Sequence, residues 1–151
     1  MTDITKQTLS ELINNIKTKK ISSEEATKAF IDRSEKSRKL NAYITDSFDR
    51  AIKKAKQFDQ NPNFDLKLPG IPIGVKDLFC TKDVKTTAGS KILNNFIPTY
   101  ESTVTQNIWN EGAILLGKLN CDEFAMGSSN ETSYFGNCLL YTSPSPRDVV
   151  P

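Results

Sequence analysis

Apolar side chains near the start of the chain recur every three or four positions, the spacing of a helix with one buried face. Two of the three patterns follow a capping-box sequence, in which a hydroxyl residue stands three positions before a glutamate: Thr8 with Glu11, and Ser22 with Glu25. The apolar positions are Leu9, Leu12, Ile13 and Ile16, then Ala26, Ala29 and Phe30, then Phe48, Ala51, Ile52, Ala55 and Phe58. The patterns predict helices near residues 8–18, 23–40 and 47–59.

The period shortens to two residues in the stretch 70–77, where Ile71, Ile73 and Val75 alternate with other positions. Such alternation predicts a buried strand with these three side chains on one side and Lys76 on the other. A lysine in apolar surroundings loses water, which lowers its pKa, and a neutral amine near pH 7 can act as a base. Alternatively, the stem of Lys76 packs while its ammonium reaches water. The local sequence leaves both interpretations open.

A helix followed by a buried strand is predicted in the second half. Ser102 begins the helix, Gly112 ends it, and the apolar run 113–117 is typical of a parallel strand covered on both faces. Asn120 is then expected to cap a short helix that includes Glu123 and Phe124.

Two loops are candidates for ligand contact. The polar segment 126–130, which includes Gly127 and Ser128, follows the buried strand, at the side of an α/β sheet where ligands tend to bind. Alternatively, the serines of this segment do not contact a ligand and instead form a helix-capping turn. The small-residue stretch 86–90 either approaches a ligand with its backbone or forms an ordinary surface turn.

Composition narrows the class of protein. The 151 residues carry 37% hydrophobic and 25% charged side chains with a net charge of +2, which is typical of a globular domain and gives no basic excess for nucleic acid. We find no apolar run of about 20 residues for a bilayer and no signal-peptide pattern after Met1, so no membrane partner is expected and the cytoplasm is the default location.

The titratable residues limit the chemistry. Cys80, Cys121 and Cys138 are too few and too widely spaced for a disulfide framework or a zinc set, so we interpret them as free thiols and expect no metal. The sequence contains no histidine, which excludes a Ser-His-Asp or Cys-His triad within it. A serine nucleophile would therefore need a lysine as its base.

Four segments, in this order and spacing, resemble the amidase signature family. They are Gly70-Ile-Pro-Ile-Gly-Val-Lys-Asp77, Thr87-Ala-Gly-Ser-Lys-Ile-Leu93, Tyr100-Glu-Ser-Thr-Val104 and Gly117-Lys-Leu-Asn-Cys-Asp-Glu-Phe-Ala-Met-Gly-Ser-Ser129. The resemblance runs from about Leu9 to about Gly136. The block 122–127 is similar to one group within the family, the A subunits of glutamyl-tRNA(Gln)/aspartyl-tRNA(Asn) amidotransferases.

The resemblance implies an α/β fold in which N-terminal helices precede the first strands and helices of the amidase-signature mixed sheet, here truncated. It also implies a Ser-cisSer-Lys mechanism, in which Lys76 relays protons through a bridging serine to a nucleophilic serine. Gly127 and Ser128 are expected to contact the substrate, which in A subunits is glutamine. This chain would need no cofactor.

The same resemblance implies partners. Ammonia from glutamine would pass to the B subunit, which uses ATP and Mg²⁺ to amidate a misacylated tRNA, and a small C subunit would brace the pair. The location would be the cytoplasm or an organellar matrix.

The sequence departs from the family after Asn137. The glycine- and serine-rich loop with the bridging and nucleophilic serines is expected here, but Ser143 and Ser145 lie among prolines without the glycines that an oxyanion site needs. We therefore expect residues 1–137 to be the N-terminal part of one amidase domain. Residues 138–151 would be a non-family tail, either an assembly artefact or a genuine proline-rich extension.

The expected function is thus a fragment of a glutaminase subunit, inactive by itself because the nucleophile is missing. One alternative is an amidase-signature enzyme that hydrolyses another amide. The other is a non-catalytic α/β binding module, which would fold cooperatively as an isolated chain.

Overall fold

The computed structural model describes residues 3–138, and the tail expected from the sequence lies outside them except for Cys138. The order of elements is α1 (Leu9–Lys17), α2 (Ser23–Lys36), β1 (Tyr43–Asp46), α3 (Phe48–Gln60), β2 (Pro72–Lys76), α4 (Thr103–Asn110) and β3 (Ile114–Leu119). Short 3-10 turns occur at Ile4–Lys6, Arg38–Leu40 and Glu123–Ala125.

Both predicted capping boxes are confirmed. The Glu11 carboxylate accepts the Thr8 backbone N–H at 2.8 Å, and Thr8 Oγ1 accepts the Glu11 N–H at 3.3 Å. The same reciprocal pair starts α2 at Ser22 and Glu25. The predicted end of α2 at residue 40 is wrong: the helix ends at Lys36, and the chain tightens into a 3-10 turn closed by Asn41 in the left-handed region (φ 53°).

The strands form one mixed sheet in the order β1-β3-β2, which confirms the expected α/β class. β3 lies in the centre, with β2 parallel and β1 antiparallel to it. β1 was not predicted, because its four residues are only partly covered and carry no buried alternating face.

The core covers both faces of β3, as its continuous apolar run predicts. Ile114 and Leu116 pack against Ala51 and Ala55 of α3, whereas Leu115 packs with Val75 and Val84. The alternation predicted for β2 agrees with the contacts: Ile71 packs against the α1–α2 cluster, Val75 packs against Leu115, and Ile73 between them contacts both groups. The register of β2 against β3 shifts between Ile73 and Gly74, where Leu116 of β3 has no partner in β2.

The turn after β3 differs from its prediction. The 3-10 turn begins after Asp122, and Asn120 does not cap it. Instead, Asn120 Oδ1 accepts the Ser133 hydroxyl at 2.7 Å and the Cys121 N–H at 2.9 Å. Within residues 3–138 no helix is both long and apolar enough to cross a lipid bilayer.

The outer edge of β2 has no partner strand within residues 3–138. Several large apolar side chains are open to water, including Ile92 (82% exposed) and Met126 (83% exposed). Unpaired edges and apolar patches favour association. We therefore expect the isolated 151-residue chain to self-associate and to lack a sharp thermal transition in circular dichroism. A cooperative transition of a monodisperse monomer would instead support the binding-module alternative.

Candidate active site

Lys76 is the last residue of β2, where it pairs with Leu119 of β3. Its side chain is exposed, and it takes part in no salt bridge within residues 3–138. The apolar shelter expected for this amine from the sequence is therefore not supplied by the described part of the chain. The preceding residue, Val75, is buried, and its side chain lies on the opposite face of the strand. The Lys76 amine is therefore accessible to groups that lie outside residues 3–138.

Asp77, the next residue, is completely buried and holds several segments together. Its N–H donates to the carbonyl of Leu119, and its own carbonyl accepts the Ala88 N–H, both at 2.9 Å. Its Oδ2 accepts the N–H and the hydroxyl of Thr87 at 2.9 and 2.5 Å. Burial raises the pKa of the Asp77 carboxyl, and the bonds from Thr87 and the charge of Lys118 oppose that change.

Lys118 of β3 is a buried lysine that the sequence reasoning missed, and none of its side chain is exposed. Its ammonium donates to the Phe79 carbonyl at 2.5 Å and to the hydroxyls of Thr86 and Thr81 at 2.9 and 3.0 Å. Burial lowers the pKa of Lys118, against the attraction of Asp77, whose Oδ1 lies 3.9 Å away. The signal was present, since Lys118 directly extends the most apolar run of the chain, but the predicted strand stopped at Gly117.

The stretch 86–90 is buried throughout, so the prediction of an ordinary surface turn is wrong. The carbonyls of Ala88 and Gly89 accept the N–H groups of Phe124 and Tyr134, each at 2.8 Å. A Cβ on Gly89, whose φ is +67°, would lie 2.5 Å from the Cys121 carbonyl oxygen. The backbone does approach another group closely, but that group belongs to this same chain.

Gly127 and Ser128 are exposed in the loop after β3, and this loop is organised by Asp122. The Asp122 carboxylate accepts N–H groups from Asn130 at 2.9 Å and Thr132 at 3.2 Å, and also the Thr132 hydroxyl at 2.9 Å. A Cβ on Gly127 would lie 2.4 Å from the carboxylate carbon. Within the described residues, no hydrogen bond joins Lys76 to Gly127 or Ser128.

The Asp122 contacts predict an acid-sensitive loop. Burial alone would raise the pKa of Asp122, but the hydrogen bonds from Asn130 and Thr132 hold it below its ordinary value of 3.8. A carboxyl with a depressed pKa stabilises the fold above its unfolded pKa, and this contribution is lost as the pH falls through the folded pKa.

We therefore expect hydrogen exchange of peptides covering residues 127–132 to keep its protection down to about pH 4 and to lose it at lower pH. Asp122→Ala should remove this protection at neutral pH. Unchanged protection in that variant would contradict the assignment.

The three cysteines are free thiols, as expected, and burial raises the pKa of Cys121. Over the range 3–138, the structure shows no group of three or more cysteine or carboxylate side chains that could hold a metal ion.

Comparison with known protein families shows to which family the chain belongs. The profile of the amidase family matches residues 25–139, which span β2, β3 and the loops described above. The chain belongs to the amidase family. This confirms the resemblance derived from the four motif segments.

Relatives of this amidase chain include A subunits of amidotransferases. It is 78% identical over all 151 residues to the A subunit of the glutamyl-tRNA(Gln) amidotransferase of Pelagibacter ubique (strain HTCC1062), of which it covers 30%. It is 55% identical over 138 residues to the same protein of Hyphomonas neptunium (strain ATCC 15444), covering 90% of this chain and 28% of the relative. The chain thus spans less than a third of the length of these relatives.

A solved amidase crystal structure shows the same fold, with a TM-score of 0.78 and 25% identity. The match covers 87% of this chain and 31% of the amidase. The helices and mixed sheet of residues 3–138 therefore correspond to one part of a larger amidase.

Proposed function

We propose that this amidase chain is the N-terminal part of the glutaminase subunit, the A subunit, of a tRNA-dependent amidotransferase. The observation that carries the proposal is the 78% identity to such an A subunit across the whole of the chain. The reaction of the complete protein would be hydrolysis of the glutamine side-chain amide to glutamate and ammonia.

Lys76 is the residue of this chain that would take part in the chemistry. Its amine would accept a proton from a bridging serine while that serine takes the proton of the nucleophilic serine, and would return it to the leaving ammonia. Two features support this role: Lys76 ends a parallel strand at the carboxyl edge of the sheet, and its side chain is open to approach. Both serines would be supplied from outside residues 3–138.

Gly127 and Ser128 are proposed to contact glutamine. Their loop lies just after β3, and Asp122 holds its backbone from one side, which leaves Ser128 exposed. The absence of a side chain at Gly127 permits the close approach to Asp122, because any Cβ there would collide with the carboxylate.

The proposed partners follow from the same assignment. The B subunit would receive the ammonia and amidate Glu-tRNA(Gln), Asp-tRNA(Asn) or both, using ATP and Mg²⁺, and the C subunit would brace the pair. The complex would work in the cytoplasm or an organellar matrix.

The test is a chimera in which residues 3–138 of this chain replace the matching part of the Pelagibacter ubique relative, assembled with its own partners. We expect the chimera to release ammonia from glutamine and to amidate misacylated tRNA. The isolated chain should show no glutamine hydrolysis above a Lys76→Ala control, because it lacks the nucleophile. An assembled chimera that hydrolyses other amides but not glutamine would overturn the proposal in favour of a different amidase.

A further inference from the structure

Lys118 and Asp77 lie buried at the end of the sheet, and the proposed proton relay uses neither of them. Val75 and Lys118 are partners in the β2–β3 ladder, so their side chains share one face of the sheet. Lys76, the next residue of β2, faces the other way. Any effect of Lys118 on Lys76 must therefore pass through the backbone that joins them.

The three donors of the Lys118 ammonium are all used, and every acceptor belongs to the segment that leaves β2. These acceptors are the Phe79 carbonyl and the hydroxyls of Thr81 and Thr86. A lysine ammonium has three N–H groups, so the geometry leaves none of them unpaired. Lys118 thus fastens the segment 79–86 to the central strand.

Asp77, just before this segment, bonds to Thr87 and Ala88, just after it, and so joins the two ends of the segment. Its backbone bonds to Leu119 and Ala88, and its Oδ2 bonds to Thr87. Its Oδ1 has no hydrogen-bond partner within residues 3–138, and the ammonium of Lys118 is 3.9 Å away. Together, the Asp77 carboxylate and the Lys118 ammonium hold residues 77–87 against β3. This segment begins at the residue that follows Lys76.

We propose that Lys118 and Asp77 are positioning residues for Lys76, which lock the backbone leaving β2 so that the exposed amine points in one direction. This inference rests on the proposed role of Lys76. Proton transfer requires the donor and acceptor to lie within hydrogen-bond reach, and a misplacement of about 1 Å can cost about 100-fold in rate. A fixed strand end gives a flexible side chain a fixed starting point.

A purely structural role makes a different prediction. A lysine that only stabilises the fold would change the thermal midpoint when replaced, while the folded enzyme would keep its turnover. A positioning residue changes kcat in the folded enzyme and has little effect on KM, because substrate binding does not involve it.

The test uses the assembled chimeric amidotransferase with Lys118→Met, which replaces lysine by an apolar side chain one atom shorter and removes the three donors. We expect kcat for glutamine hydrolysis to fall about 10- to 100-fold with KM within about threefold. Lys118→Arg, which retains donors, should lie between Lys118→Met and the parent. Lys53→Met, on the exposed side of α3, is the control and should behave as the parent.

Thr86→Val provides a second measurement if Lys118→Met does not fold. It conserves the shape of the side chain and removes the hydroxyl that bonds to Lys118 and to the Val84 carbonyl. We expect kcat to fall by about 3- to 10-fold with an intact fold. Parent-like kcat in folded Lys118→Met, or in Thr86→Val where the former does not fold, would overturn the inference. An assembled parent chimera without glutaminase activity would instead contradict the proposed function.

Discussion

Replacing Lys76 with alanine is expected to lower kcat for glutamine hydrolysis in the chimeric enzyme on the order of 10³-fold or more. Without its amine, the proposed relay loses the group that takes the proton from the bridging serine, and the sequence has no histidine to substitute for it. The Lys76 side chain is exposed in residues 3–138, so its loss removes no buried contact there. In the complete enzyme the variant loses only the proposed hydrogen bond to the bridging serine, so the free energy of unfolding should fall by no more than about 1–3 kcal/mol.

Steady-state kinetics of the purified complex, together with urea unfolding, checks both expectations. Lys53→Ala serves as the matched control, because it removes an exposed lysine far along the chain from the site. Turnover in Lys76→Ala that stays within a factor of about ten of the parent would show that the proton is carried by another group.

Gly89→Ala is expected to destabilise the fold by about 3 kcal/mol. Its φ of +67° places an L-residue in the left-handed region, which costs roughly 1–2 kcal/mol. The new Cβ would also lie 2.5 Å from the Cys121 carbonyl oxygen, a backbone atom that cannot rotate away, and such overpacking adds roughly 1–3 kcal/mol. Urea titration of the chimeric enzyme measures the change.

Gly136→Ala separates the conformational cost of a positive φ from the steric cost of the close approach at Gly89. Gly136 has a similar φ of +85°, but a Cβ there would meet only the Asn41 side chain at 3.5 Å, an ordinary contact. This variant should therefore lose only the conformational part, about 1 kcal/mol. Equal losses in the two variants would mean that the close approach at Gly89 does not contribute.

The helices were predictable because their determinants are local. Capping boxes and apolar faces lie within a few residues of each other, and the predicted helix starts agree with α1, α2 and α3 to within one residue. The end of α2 was missed because Ser37 and Asn41 close it without a glycine or proline to mark the position.

The features that the sequence did not predict depend on distant contacts. β1 is a strand because β3 lies beside it, and the stretch 86–90 is buried because Phe124 and Tyr134 bond to its carbonyls. Neither partner can be inferred from short-range spacing.

The two lysines at the sheet show where local reasoning succeeds and fails. The argument that a lysine in an apolar strand loses its water is correct, but within residues 3–138 it describes Lys118, not Lys76. Lys118 is surrounded by oxygen acceptors from residues 79–86, whereas the side chain of Lys76 is exposed. The catalytic assignment of Lys76 therefore depends on the family motif rather than on its burial.

The proton-carrying role of the amine at position 76 can be tested by removing it and then rebuilding it chemically. Lys76→Cys in the chimeric complex should be inactive, and treatment with 2-bromoethylamine should restore a side chain with a primary amine of nearly the same length. We predict that glutaminase activity returns after this treatment and stays absent in Lys76→Ala treated in the same way. Failure of activity to return once the thiol at position 76 is fully aminoethylated, or full activity of Lys76→Cys before treatment, would contradict the account.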